Sequence, residues 1–131
     1  MMRAIPVLLA VFSFGAASEI RADEIVIDSE YVGAEHTGSN DSGDILSGWV
    51  RFQGQIFTTY HVAFLAKPHG SDPMYWMVVA SRDVTTDYNG SATVNNLNGT
   101  TYYGYPDGWD CRIVVSRTSG PSTYVPFWLT Y

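Results

Sequence analysis

The side chains best suited to binding chemistry in this sequence are aromatic. Tyr102, Tyr103, Tyr105 and Trp109 bracket the turn sequence Pro106-Asp107-Gly108. Exposed rings beside Asp and Asn stack on sugars and anchor protein interfaces. These four residues are therefore the candidate binding site, with a protein or a glycan as partner. The chain beyond residue 22 holds 17 aromatic residues, including Trp49, Trp76, Trp109 and Trp128. A fold without disulfides also needs large rings in its core, so some of them must be structural.

Residues for catalysis are sparse. A nucleophilic serine at a strand–helix turn would show Gly-x-Ser-x-Gly, and the motif is absent. His36, His61 and His69 are the only histidine bases. His61 falls in a strand, on the face opposite Tyr60, Val62 and Phe64, which suits a structural or surface histidine. Cys111 lies beside Ile113 and Val115 and reads as a buried, inert thiol. As a lone cysteine it raises the question of an intermolecular disulfide. His61 and His69 do not supply the four ligands of a structural zinc site. Asp83, Asp87 and Asn89 before Gly90 make a fragment of a calcium loop that lacks its distal glutamate. Glu30, Glu35, Asp41 and Asp44 could pair for glycoside hydrolysis, but any acidic loop has the same composition. No catalytic residue, metal or cofactor is assigned. Asn40, Asn89 and Asn98 begin glycosylation sequons, which would be used only in a eukaryotic secretory pathway.

Met1-Met2-Arg3, an apolar run from Ile5 to Ala17 and the small residues up to Ala22 have the order of a secretory signal peptide. Cleavage fits after Ala17 or after Ala22. The apolar run is shorter than the ~20 residues of a membrane-spanning helix, so no transmembrane anchor is expected. Residues 23–131 then form one domain of 109 residues, secreted, periplasmic or on the cell surface. This part holds five basic and twelve acidic residues, a net charge of −7. That balance argues against nucleic acid and anionic membrane as partners.

The elements that must position these residues read as strands. Gly, Asn, Asp, Ser and Pro clusters recur at short spacing between β-branched and aromatic runs, the pattern of an all-β sandwich. Eight strands are expected: Glu24 to Val32, Ile45 to Phe52, Thr59 to Lys67, Met74 to Arg82, Ser91 to Leu97, Thr100 to Tyr105, Asp110 to Arg117 and Thr123 to Tyr131. Gly33 to Gly43 is expected as a polar loop, and Asn89-Gly90 and Asn98-Gly99 as tight turns. Ile25, Ile27 and Tyr31 should share one face of the first strand. The fourth strand is apolar on both faces, which suits a central position or cover on both sides. Pro126 points to an edge for the last strand.

The run Thr85-Thr86-Asp87-Tyr88-Asn89-Gly90 to Leu97-Asn98-Gly99-Thr100-Thr101-Tyr102 resembles the Thr-Thr-Asp-x-x-Gly…Leu-x-x-Gly-x-Tyr pattern of bacterial prealbumin-like sandwich modules, such as collagen-adhesin B-type repeats. The resemblance covers about 18 residues of turn chemistry. It implies a single Ig-like or prealbumin-like β-sandwich of about 7–8 strands, serving as a non-catalytic stalk or binding module. Many such repeats carry a lysine–asparagine crosslink. Here Lys67 is the only lysine and no asparagine follows Asn98, so no crosslink is expected. The sequence thus points to an exported recognition module. The alternatives are a secreted inhibitor or toxin-like effector, favoured by one protruding rigid loop such as Gly33 to Gly43, and a small hydrolase.

Overall fold

The structure is a computed structural model that describes residues 24–102, 104, 107–118 and 120–130. The leader, Tyr103 and Tyr105 lie outside the described residues. Among the described residues seven strands run in the order β1 (Val26–Asn40), β2 (Gly43–Gln53), β3 (Thr59–Pro68), β4 (Met77–Thr85), β5 (Ser91–Thr100), β6 (Trp109–Ser116) and β7 (Ser122–Leu129). A short 3-10 turn, Pro73–Tyr75, precedes β4. The strands form two antiparallel sheets, β1-β2-β5 and β4-β3-β6-β7. This is the connectivity of a seven-stranded Ig-type sandwich with its fourth strand moved to the second sheet.

Alternation decides which side chains meet between the sheets. On β2, Leu46, Val50 and Phe52 are buried, and on β3, Tyr60, Val62, Phe64 and Ala66 are. Trp109, Cys111, Ile113 and Val115 do the same on β6, each at most 1% exposed. Val94 and Leu97 of β5 complete the apolar layer. Gly48 has no side chain because the facing sheet leaves no room for one. A Cβ there would lie 2.9 Å from Phe64 Cδ2 and 3.2 Å from Ile113 Cδ1.

Several elements depart from the expectation. The polar loop at 33–43 is strand: β1 continues through Ser39 and pairs with β2, ending with Asn40 opposite Gly43. The partner strand satisfies its backbone, so Gly and polar side chains are tolerated. Only residues 41–42 turn, where Asn40 Oδ1 accepts from the Ser42 and Gly43 amides at 2.8 and 3.2 Å. A bulge between Ile27 and Val32 reverses the facing of β1. Ile25 and Ile27 pack on the core, as do Val32 and Ala34. Tyr31 instead packs outside against Arg51, whose guanidinium lies 4.4 Å from its ring centroid.

Asn98-Gly99 is likewise strand, paired with Ser47 and Leu46. Its glycine serves a close approach rather than a turn. A Cβ on Gly99 would sit 1.9 Å from the Val79 carbonyl oxygen, where the edge strands β5 and β4 of the two sheets meet. Arg82 ties that seam, donating to the Asn95 and Asn96 carbonyls at 2.9 and 3.1 Å. Of the expected strand from Thr100 to Tyr105, Thr100 ends β5, and Thr101, Tyr102 and Gly104 are outside any strand. Met74 and Tyr75 belong to the 3-10 turn. The expected central strand is β4, an edge strand with β3 as its single sheet neighbour.

Candidate functional site

Of the rings expected to form one surface at 102–109, the two described, Tyr102 and Trp109, are not exposed together. Trp109 is 0% exposed, at the start of β6. Its indole N–H donates to Asp44 Oδ2 at 2.9 Å. Asp44 is itself 5% exposed, so the indole is a structural donor to a buried carboxylate and cannot stack on a ligand. Tyr102 is 79% exposed. It lines a half-open cavity of about 350 Å³ with Ser39, Asn40, Asp41, Ser42 and Gly104.

The candidate bases are placed as follows. His36 Nε2 lies 3.3 Å from both Ser39 Oγ and Asp44 Oδ1. A relay needs the acid on one ring nitrogen and the hydroxyl on the other. Here both meet the same nitrogen, and Ser39 Oγ donates directly to Asp44 at 3.0 Å. His61 Nδ1 pairs with Asp83 Oδ1 at 2.8 Å on an exposed strand surface. Asp87 Oδ1 instead accepts from the Asn89 and Ser91 amides at 2.8 and 3.0 Å. That is turn chemistry, and the calcium-loop fragment is not brought together. Asn40, Asn89 and Asn98 are all exposed. Burial, with the neighbouring Asp110 charge, pushes the Cys111 thiol up to about 12. At 1% exposure its sulfur is out of reach of another chain, which closes the question of an intermolecular disulfide in the folded state.

A different surface gathers the exposed rings. On the outer face of the four-stranded sheet, the strand registers align side chains in rows. Lys67, Asp110 and Trp128 form one row. Val78, Leu65, Arg112 and Pro126 form the next. Ser81, Ala63, Val114 and Tyr124 follow, and Asp83, His61, Ser116 and Ser122 make a polar border. The solvent face of an antiparallel sheet is ordinarily polar. This one exposes Val78 at 58%, Tyr124 at 51% and Trp128 at 57%.

The polar groups within this face are strongly held. Asp110 takes Lys67 Nζ at 2.9 Å, His69 Nδ1 at 2.7 Å and the Gly70 amide at 3.0 Å. Burial alone would raise its carboxyl. The His69 and Lys67 hydrogen bonds, the Gly70 amide and the Lys67 charge outweigh that and hold it at about 2. His69 stacks on Trp128 with ring centroids 4.3 Å apart and planes within 12°. Asp72 caps the 3-10 turn by accepting from the Met74 amide at 3.1 Å, and Trp76 follows at the turn's end. The Arg112 guanidinium lies between two rings, 4.2 Å from the Trp76 centroid and 4.7 Å from that of Tyr124. Its Nε is buried without a hydrogen-bond partner. Among the described residues no carboxylate pairs with Arg112.

Sequence reasoning passed over Trp76, Arg112, Tyr124 and Trp128 as site residues because they come from separate elements. The usable signal was the doubly apolar run before Arg82, assigned to burial, and the rings at both 124 and 128 on one face of β7. Comparison of the chain with family models, with curated proteins and with solved structures returned no match.

Proposed function

We propose that the chain is an exported, non-catalytic recognition module that binds a protein through the outer face of β4-β3-β6-β7. The observation that carries this reading is the exposed lattice of Trp128, Tyr124 and Val78 around Arg112. Trp, Tyr and Arg are the residues that dominate protein-interface energetics. The face is the open surface of four paired strands, which suits a macromolecular partner better than an enclosed small molecule. Between the rings stand Leu65, Ala63, Val114 and Pro126, which offer nothing to the hydroxyls of a sugar. A protein is therefore the better fit than a glycan.

The reading is tested with a Trp128→Ala/Tyr124→Ala variant, whose exposed substitutions should leave the fold intact. A defined protein retained by the wild type from the producing organism's surroundings, and lost by the variant, is the expected result. Retention by both proteins, or glycan-array binding that depends on Trp128, would overturn it.

One observation favours the inhibitor or effector alternative. Ile56, Phe57 and Tyr88 are 56%, 68% and 72% exposed at one end of the sandwich. The loop carrying Ile56 and Phe57 is held on both sides: the Gln55 amide donates to Tyr60 Oη at 2.8 Å, the Thr58 amide to Thr86 Oγ1 at 2.9 Å and Arg117 to Gln55 at 2.8 Å. Phe57 has φ 49°, a left-handed conformation unlike the extended backbone that a protease cleft accepts.

A further inference from the structure

The face proposed as the recognition surface carries a condition on its partner. Lys67 and His69 are already paired with Asp110. Arg112 is not. It occupies the second row of the lattice, flanked by Leu65 and Pro126 on the neighbouring strands. The Trp76 and Tyr124 rings both lie against its guanidinium, with centroids 4.2 and 4.7 Å from Cζ. Its Nε is sealed. The terminal amino groups are thus the part of the fork left for a ligand.

Covering such a face with an apolar surface alone would bury an unpaired cation, which opposes association. A planar fork held against two rings is suited to a carboxylate, which it binds through two parallel N–H···O bonds. The surrounding charge points the same way. Strands β3, β4 and β6 carry Lys67, Arg82 and Arg112 against Asp83 and Asp110, whereas β1 and β2 carry Arg51 against Asp28, Glu30, Glu35 and Asp44. The chain as a whole is acidic, with formal net charge −6, so a polyanion is disfavoured while a single carboxylate at Arg112 is not.

We propose that the partner is a protein segment presenting one Asp or Glu carboxylate to Arg112, flanked by apolar side chains that pack on Tyr124, Val78 and Trp128. This rests on the reading of the face as a protein-binding surface.

The test is selection of a displayed random twelve-residue peptide library on the folded protein, followed by affinity measurement of the selected peptides as synthetic molecules. Selected peptides should share an acidic residue next to an aromatic or aliphatic one. Changing that Glu to Gln in the peptide, or Arg112→Gln in the protein, should each weaken binding by at least about 30-fold, with no further loss when both are combined. Arg112→Lys should recover only part, because an ammonium keeps the charge and loses the fork. Variants are first checked for native circular dichroism. Peptides that need Trp128 but bind Arg112→Gln unchanged would overturn the carboxylate inference and leave the recognition face standing. Peptides indifferent to both Trp128→Ala and Arg112→Gln would overturn both. Binding of oligouronates through Arg112, with no peptide selected, would replace the protein partner with a glycan and overturn the proposal.

Discussion

Trp109→Phe separates a structural ring from a binding one. The substitution keeps an aromatic at a position that is 0% exposed but removes the indole N–H that donates to Asp44 Oδ2 at 2.9 Å. Asp44 is 5% exposed and keeps Ser39 Oγ at 3.0 Å and His36 Nε2 at 3.3 Å, both on its other oxygen. Removing one donor from a buried carboxylate costs about 1–3 kcal/mol. Losing the smaller ring of the indole from a fully buried site adds about 1–2 kcal/mol. The expected loss is therefore about 3 kcal/mol, or roughly 15 °C in Tm for a domain of this size. Urea denaturation followed by far-ultraviolet circular dichroism gives the free energy directly. Asp44→Asn in the Trp109→Phe background should recover part of the loss, because an amide needs less compensation than a carboxylate. A loss below about 1 kcal/mol, or strict additivity of the two substitutions, would refute the assignment of the indole as the carboxylate's structural donor.

Further expectations follow from single contacts. Cys111, with its thiol raised to about 12, should resist a thiol reagent at pH 8 in the folded protein and react at the rate of global unfolding; fast labelling of native protein would contradict its burial. The Asp110 carboxyl is held at about 2, below its ordinary value near 3.9. The folded state therefore binds fewer protons than the unfolded chain, and the stabilisation is full above pH ~4 and lost as pH falls toward 2. The stability gap between wild type and Asp110→Asn should accordingly narrow across that window in acid titrations, and a gap independent of pH would contradict it. Phe57→Gly should raise stability by about 0.5–1 kcal/mol by relieving the left-handed backbone at φ 49°, read as a higher urea midpoint. Gly99→Ala should cost about 3 kcal/mol or prevent folding, because its Cβ would meet the Val79 carbonyl at 1.9 Å.

Where the sequence is locally consistent, the fold could be read from it. Tyr60, Val62 and Phe64 alternate inward as expected, and His61 faces out. Cys111, Ile113 and Val115 line the core from β6. The errors arise where a residue type serves two purposes. Gly99 reads as a turn residue but is a close-approach residue between two edge strands, and that contact joins positions distant in sequence. Ala34 to Ser39 has loop composition, yet β2 supplies its hydrogen bonds. The two apolar faces of residues 74–80 suggest double burial. In the structure β4 is an edge strand, and Val78 on its outer face is 58% exposed. Trp109 sits beside turn residues and reads as surface, but its register on β6 turns it into the core opposite Asp44. The outer-face lattice could not be read because it depends on the pairing of four strands, and Arg112 meets Trp76 and Tyr124 only once those strands are aligned.

The most direct test of the recognition face is site-specific photocrosslinking in the organism that produces the protein. A photoreactive phenylalanine is placed in turn at Tyr124 on the four-stranded sheet, Tyr31 on the three-stranded sheet and Tyr88 at the end of the sandwich. We expect a covalent protein adduct from position 124, abolished by Trp128→Ala in the same chain, and none from position 31. Adducts only from 31 or 88, or none from 124, would contradict the claim that the partner docks on the face of β4-β3-β6-β7.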